Sequence, residues 1–133
     1  MTSAPKLILI AFEPILHHLL SCRLGTDFAI VGAARTAAEA LAIARDRFAN
    51  VVLVDADSLG TRAADLVSKL SLAGRAPIVV LSATAAPAKP ETAALLAAGA
   101  GAVVHKTAGS LPVDLDHGLG ERLITTLRQV SSP

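Results

Sequence analysis

The sequence predicts a doubly wound α/β domain built on a five-stranded parallel sheet. Three observations predict it: short unbroken apolar runs, segments of helical period between them, and chemically capable residues where several runs end. Four runs stand out: Leu7 to Ala11, Val51 to Val54, Ile78 to Leu81 and Ala102 to Val104. None alternates apolar with polar residues, and continuous runs of this length suit strands covered by helices on both faces. A fifth run, Phe28 to Val31, is shorter and more ambiguous.

The intervening segments read as helices. Pro14 stands where a first helical turn tolerates proline, ahead of Ile15, Leu16, Leu19 and Leu20. Thr36-Ala37-Ala38-Glu39 reads as a capping box, in which hydroxyl and carboxylate satisfy free amides at a helix start. That helix is expected to run toward Phe48, with Leu41, Ala44 and Phe48 on one face. Further helices are expected from about Thr61 to Leu72, Pro90 to Ala98 and His117 to Val130, with an Ala/Pro-rich loop, expected to be mobile, from Thr84 to Pro90.

Strands alternating with helices imply right-handed crossovers. In such sheets ligands sit at the carboxyl ends of the strands, beside a switch in strand order. The residues to inspect are therefore Ala11, Phe12 and Glu13 after the first strand, Asp55 after the third, Ser82 after the fourth and Lys106 after the fifth.

Length and composition narrow the classes. At 133 residues the chain suits one domain, expected over 1–133 with a core from about 6 to 130 and no effector domain within it. With 53% hydrophobic residues and a net charge of +1, the chain is expected to fold, and the composition argues against a disordered acidic or basic tail. Phe12, Phe28 and Phe48 are its only aromatic residues and no basic stripe is visible, which argues against a direct nucleic-acid partner. The richest apolar stretch, Ala93 to Val104, is too short for a membrane span and is broken by Gly99 and Gly101. No signal peptide is evident, and the lone Cys22, expected at a core or boundary position, suits a reducing cytoplasm.

Val51-Val52-Leu53-Val54-Asp55 is the most informative segment, because four apolar residues drive a strand into the core and deliver a carboxylate at its end. Such an Asp needs pairing, hydrogen bonds or a metal, or else it merely caps the next turn. The Ser82 hydroxyl, following Ile78-Val79-Val80-Leu81, could donate to an acyl-phosphate oxygen, and the Lys106 ammonium could reach a carboxylate or phosphoryl group on Asp55. Taken singly, Ser82 and Lys106 read as readily as a turn serine and a solvated lysine. Together the three occur in the order and at the strand ends that one pocket requires.

On these residues the sequence resembles the receiver domains of two-component response regulators, over nearly the whole chain from Leu7 to Val130. The resemblance implies a flavodoxin-like sheet of order 2-1-3-4-5, with Asp55 at the phosphoacceptor position, Ser82 at the Ser/Thr position that senses the phosphoryl group, and Lys106 at the family's lysine. Pro77 to Thr84, Glu91 to Gly99 and Gly109 to Leu115 are most similar to the amino-terminal receiver of chemotaxis protein-glutamate methylesterases. The esterase domain that would follow such a receiver, with its Ser/His/Asp site, does not fall within these residues.

The departures from the family pattern carry as much meaning. Where receivers place two adjacent acids that help to hold Mg²⁺, this chain has Ala11 and Phe12. Mg²⁺ demands oxygen ligands, so Asp55 with a backbone carbonyl near Asp57 would bind it weakly, and Glu13 could join only after a local shift. Leu59 replaces a proline after the phosphoacceptor, Val103 the aromatic switch residue, and Thr107 the proline after the lysine, which removes the reason to expect a cis peptide there. His17 and His18 point about 100° apart on a helix and cannot chelate one ion together. His105 reads as structural, and His117 has no partner in sequence.

Three functions compete. The first is a degenerate receiver acting as a protein-interaction module through its sheet edge or last helices. The second is a working phosphoacceptor that takes a phosphoryl group from a histidine kinase onto Asp55 with Mg²⁺ and Lys106. The expected partners are a histidine kinase or other signalling protein, a linked effector domain or a second copy, with no membrane. A third reading takes Val52-Leu53-Val54-Asp55-Ala56-Asp57 as the opening motif of haloacid-dehalogenase-type phosphatases, with Asp57 as general acid/base and Asp114 and Asp116 as further acids. That motif belongs on the first strand of the phosphatase fold, not the third.

Overall fold

In a computed structural model, which describes residues 4–57, 59, 62–74, 76–83, 90–106 and 118–131, strand and helix alternate along the chain. The order is β1 (Lys6–Ile10), α1 (Pro14–Leu24), β2 (Ala29–Ala34), α2 (Ala37–Asp46), β3 (Val51–Asp55), α3 (Ala63–Ala73), β4 (Ile78–Ser82), α4 (Pro90–Ala98), β5 (Ala102–His105) and α5 (Gly118–Ser131). Outside the described residues lie Thr61, the Ala/Pro-rich loop from Thr84, Thr107, the Gly109 to Leu115 segment with Asp114, Asp116 and His117.

All strand pairs are parallel and the sheet order is β2-β1-β3-β4-β5, as the resemblance implied. Chain direction across the sheet reverses between β1 and β3, so the carboxyl end of β3 lies beside the switch point where ligands gather in open sheets.

Alternation along each strand divides the core in two. Ile8, Ile10, Val52, Val54, Ile78 and Val80 meet Ala40, Leu66, Val67, Leu70 and Leu95 on the face covered by α2, α3 and α4. Leu7, Leu9, Val51, Leu53, Val79 and Leu81 meet Leu16, Leu20, Leu24, Leu119, Leu123 and Leu127 on the face covered by α1 and α5. Each buried Leu, Ile or Val side chain contributes about 1.5–3 kcal/mol relative to exposure. β3 and β4 are buried at every residue, polar ends included, so the central strands are held on both faces and their tips are fixed.

Several boundaries differ from the sequence reading, each for a local reason. β2 is longer than the Phe28 to Val31 run because it continues through Gly32 past a shift in register, with Leu7 opposite Ile30 and Ile8 opposite Gly32. The extra residue is Val31, whose carbonyl accepts a hydrogen bond from the Arg47 guanidinium. A β-carbon on Gly32 would come within 2.5 Å of Ile43, so the close approach of α2 requires glycine there. Phe48 is not on the helical face: α2 ends at Asp46, and Phe48 is 70% exposed with the Lys6 ammonium 5.6 Å from its ring centroid. The capping box forms by half. Thr36 Oγ1 accepts from the Glu39 amide at 3.1 Å, but the Glu39 carboxylate takes the Thr36 hydroxyl at 3.2 Å instead of the Thr36 amide. Cys22 is exposed on α1, against the expected core or boundary position, with its Sγ 3.7 Å from His18 Nε2.

Candidate functional site

The register of the sheet sets the site. Asp55 stands opposite Leu81 and Ser82 opposite His105, which brings the ends of β3, β4 and β5 together. Backbone bonds tie these ends beyond the strands: the Ala56 amide donates to Leu81 O at 3.0 Å and the Lys106 amide to Ser82 O at 2.9 Å. Past Asp55 the chain turns at once, with the Leu59 amide donating to Ala56 O at 3.0 Å. That turn lifts Asp57 back over the end of β4.

Asp55 is 1% exposed, deeper than its place at a strand end suggests. Lys106 Nζ lies 2.8 Å from its Oδ1, near enough for an ion pair, yet neither Asp55 oxygen accepts a hydrogen bond of good geometry among the described residues. Burial pushes the Asp55 carboxyl above the ordinary Asp range, and the adjacent Lys106 ammonium only partly offsets it. Burial acts against the charge on Lys106 as well, but contact with the Asp55 and Asp57 carboxylates outweighs it and holds the ammonium above its usual range.

Asp57 is the better-satisfied carboxylate. Its Oδ1 accepts from the Ser82 hydroxyl at 3.2 Å and from the Ala83 amide at 2.8 Å, and its Oδ2 accepts from Lys106 Nζ at 2.5 Å. The Ala83 carbonyl, in the peptide that follows, meets the His105 ring, whose Nε2 is 2.9 Å from Ala83 O. A cleft lined by Ala63, Ala64, Ala94 and Leu95 opens onto Asp57 and Ser82 between α3 and α4.

The structure thus gathers Asp55, Ser82 and Lys106 as the sequence reading expected, but joins them through a residue to which that reading gave other roles. Asp57 entered as a backbone-carbonyl ligand or as the general acid/base of a phosphatase; its side chain is the hub. The signal was available in its spacing, because a second Asp two residues past a buried strand end falls in the turn that overhangs the neighbouring strand tips. The phosphatase motif stands on the third strand of this sheet, not the first, and the Asp57 carboxylate is bound to three donors.

A divalent cation beside Asp55 would need further oxygen ligands. Ala11 and Phe12 supply no side-chain oxygen, and Glu13, exposed at the N-cap of α1, reaches Asp55 only as a weak charge that pushes its carboxyl further up. Among the described residues no three His, Cys, Asp or Glu side chains converge as metal ligands. This donor set does not fit a tightly held Mg²⁺. The two adjacent histidines diverge as expected: His17 Nδ1 is 3.1 Å from Ala11 O, whereas His18 faces Cys22.

The sequence matches no protein-family model and no curated protein. Solved structures match it closely in shape. The response regulator domain of Thermotoga maritima CheB superposes with a TM-score of 0.84 over 98% of this chain and 100% of that one, at 17% identity. The chain has the receiver-domain fold. Vibrio cholerae chemotaxis protein CheY4 follows with a TM-score of 0.74 at 21% identity, over 96% and 99% of the two chains. A structure of the P1 domain of CheA3 in complex with CheY6 from R. sphaeroides matches with a TM-score of 0.72 at 24% identity, over 97% and 98%. Within this receiver fold Asp55, Ser82 and Lys106 occupy the tips of β3, β4 and β5, and Val103 lies on β5, partly buried against the α2–α3–α4 face. Among the described residues no helix is long and apolar enough to cross a membrane.

Proposed function

We propose that the chain is the regulatory receiver of a two-component signalling protein that works mainly by binding partners, with little or no phosphoryl transfer to Asp55. One observation carries this reading: the donors that would bind the oxygens of a phosphoryl group on Asp55, namely Ser82, the Ala83 amide and Lys106, are engaged by the Asp57 carboxylate, while Ala11 and Phe12 stand where metal-holding acids are needed. The likeness to the CheB response regulator domain supports a chemotaxis methylesterase-type receiver, for which an esterase output domain would be the linked effector. The CheA3 P1–CheY6 complex supports a histidine kinase or related signalling protein as the partner class.

A second reading has its own support. The 2.8 Å approach of Lys106 Nζ to Asp55 supports a reading in which the ammonium steadies a carboxylate nucleophile during phosphoryl transfer. Intact-mass measurement after incubation with Mg²⁺ and a small phosphodonor separates the two, with Asp55→Ala as control. The interaction-module reading expects no Asp55-dependent gain of a phosphoryl group. A stoichiometric gain that disappears in Asp55→Ala overturns it and installs the phosphoacceptor.

A further inference from the structure

Three donors from two strand ends converge on one small volume. The Ser82 hydroxyl and the Ala83 amide come from the tip of β4 and the Lys106 ammonium from the tip of β5. A hydroxyl, a backbone N–H and an ammonium converging at 2.5–3.2 Å form an oxyanion pocket, the donor set that binds phosphate or sulfate oxygens. What fills it here is a carboxylate of the same chain, tethered two residues beyond Asp55. We propose that the Asp57 carboxylate is a built-in occupant of an oxyanion pocket, holding Ser82, Ala83 and Lys106 in their anion-bound arrangement with no phosphoryl group on Asp55.

Electrostatics support the assignment. With Asp55 and Asp57 ionised, two negative charges already share the Lys106 ammonium. A phosphoryl dianion on Asp55 would have to displace the Asp57 carboxylate from all three donors and then lie near it, and like charges so close together repel. Against a free anion such as inorganic phosphate the tether favours the occupant as well, because an intramolecular group has no translational entropy to lose on binding. The pocket is braced as well as filled: the His105 ring bonds to the Ala83 carbonyl and the Lys106 amide to the Ser82 carbonyl. His105 is therefore a positioning residue that acts through the backbone of Ala83, on the carbonyl that follows the donating amide.

This inference deepens the phosphorylation-independent reading and rests on it for its biological meaning, but its test reads non-covalent binding and is judged separately. The uniformly ¹⁵N-labelled full chain is titrated with inorganic phosphate, following the Ala83 and Lys106 amide resonances. In the parent chain no saturable shift is expected. Asp57→Asn removes the resident charge at nearly constant shape and is expected to gain saturable phosphate binding at least about tenfold tighter, lost again in Asp57→Asn/Lys106→Met. Asp57→Ser serves in the same way should Asp57→Asn not fold. Saturable binding of equal strength in parent and variant, or no binding to a variant with a dispersed folded spectrum, overturns the proposal. Covalent phosphorylation of Asp55 in the mass experiment would instead sink the functional reading and leave this titration to decide the occupancy of the pocket.

Discussion

The Ser82 hydroxyl donates to Asp57 at 3.2 Å, whereas Asp55, on the adjacent strand tip, has the Lys106 ammonium 2.8 Å away as its counter-ion. This division of partners makes the two acids unlike. Asp57, with a quarter of its side chain exposed, has three donors, whereas Asp55 is buried with none of good geometry among the described residues. Burying a charge so poorly compensated costs stability, and the fold tolerates it because the apolar residues of β3 drive the strand into the core regardless.

Replacing Asp55 with Asn should therefore stabilise the protein near neutral pH, by about 1–2 kcal/mol. The sign follows from linkage. Since the folded-state Asp55 carboxyl is raised above 3.8, the folded state holds its proton more tightly, and stability falls as pH rises from 3.8 through the folded value. Below 3.8 the parent carboxyl is neutral in both states, so the advantage of Asn should vanish. Urea unfolding of both proteins on each side of that range measures it; an Asn variant less stable than the parent at neutral pH would show that the Lys106 pair more than compensates the burial.

Lys106→Met should have the opposite effect, costing about 3 kcal/mol at neutral pH, because it leaves two adjacent carboxylates without their cation. Part of that loss should return in acid as Asp55 takes a proton. In the parent chain the Lys106 contribution is present in full from neutral pH up to 10.5 and is lost as pH rises through the higher folded-state value. Denaturant midpoints of parent and variant across acid, neutral and alkaline buffers test both limbs.

Much of this fold was legible because burial on both faces leaves a plain mark. β1, β3, β4 and β5 coincide with unbroken apolar runs to within a residue at either end, and α4 with its predicted span. β2 was the weakest, because Gly32 and the bulge at Val31 interrupt its pattern and their reason lies in α2, through Ile43 and Arg47. Phe48 was misread because helical spacing alone does not mark where a helix stops; α2 ends in a cap at Arg47, with its amide donating to Ile43 O, before Phe48 can reach the core face. At the site, strand-end logic found Asp55, Ser82 and Lys106, each fixed by a strand. The Asp57 and Ala83 contacts depend on how the chain turns in the first residues beyond β3 and β4, and periodicity carries no information about that.

The most direct test of whether Asp57 already fills the pocket of this receiver fold is its response to a phosphoryl analogue. Amide spectra of the ¹⁵N-labelled parent chain, recorded with and without Mg²⁺ and beryllofluoride, report whether Asp55 can take a tetrahedral group and whether Ser82, Ala83 and Lys106 then move. The account predicts superimposable spectra at these residues. A saturable, Mg²⁺-dependent shift of the Ala83 and Lys106 amides that disappears in Asp55→Ala would contradict it.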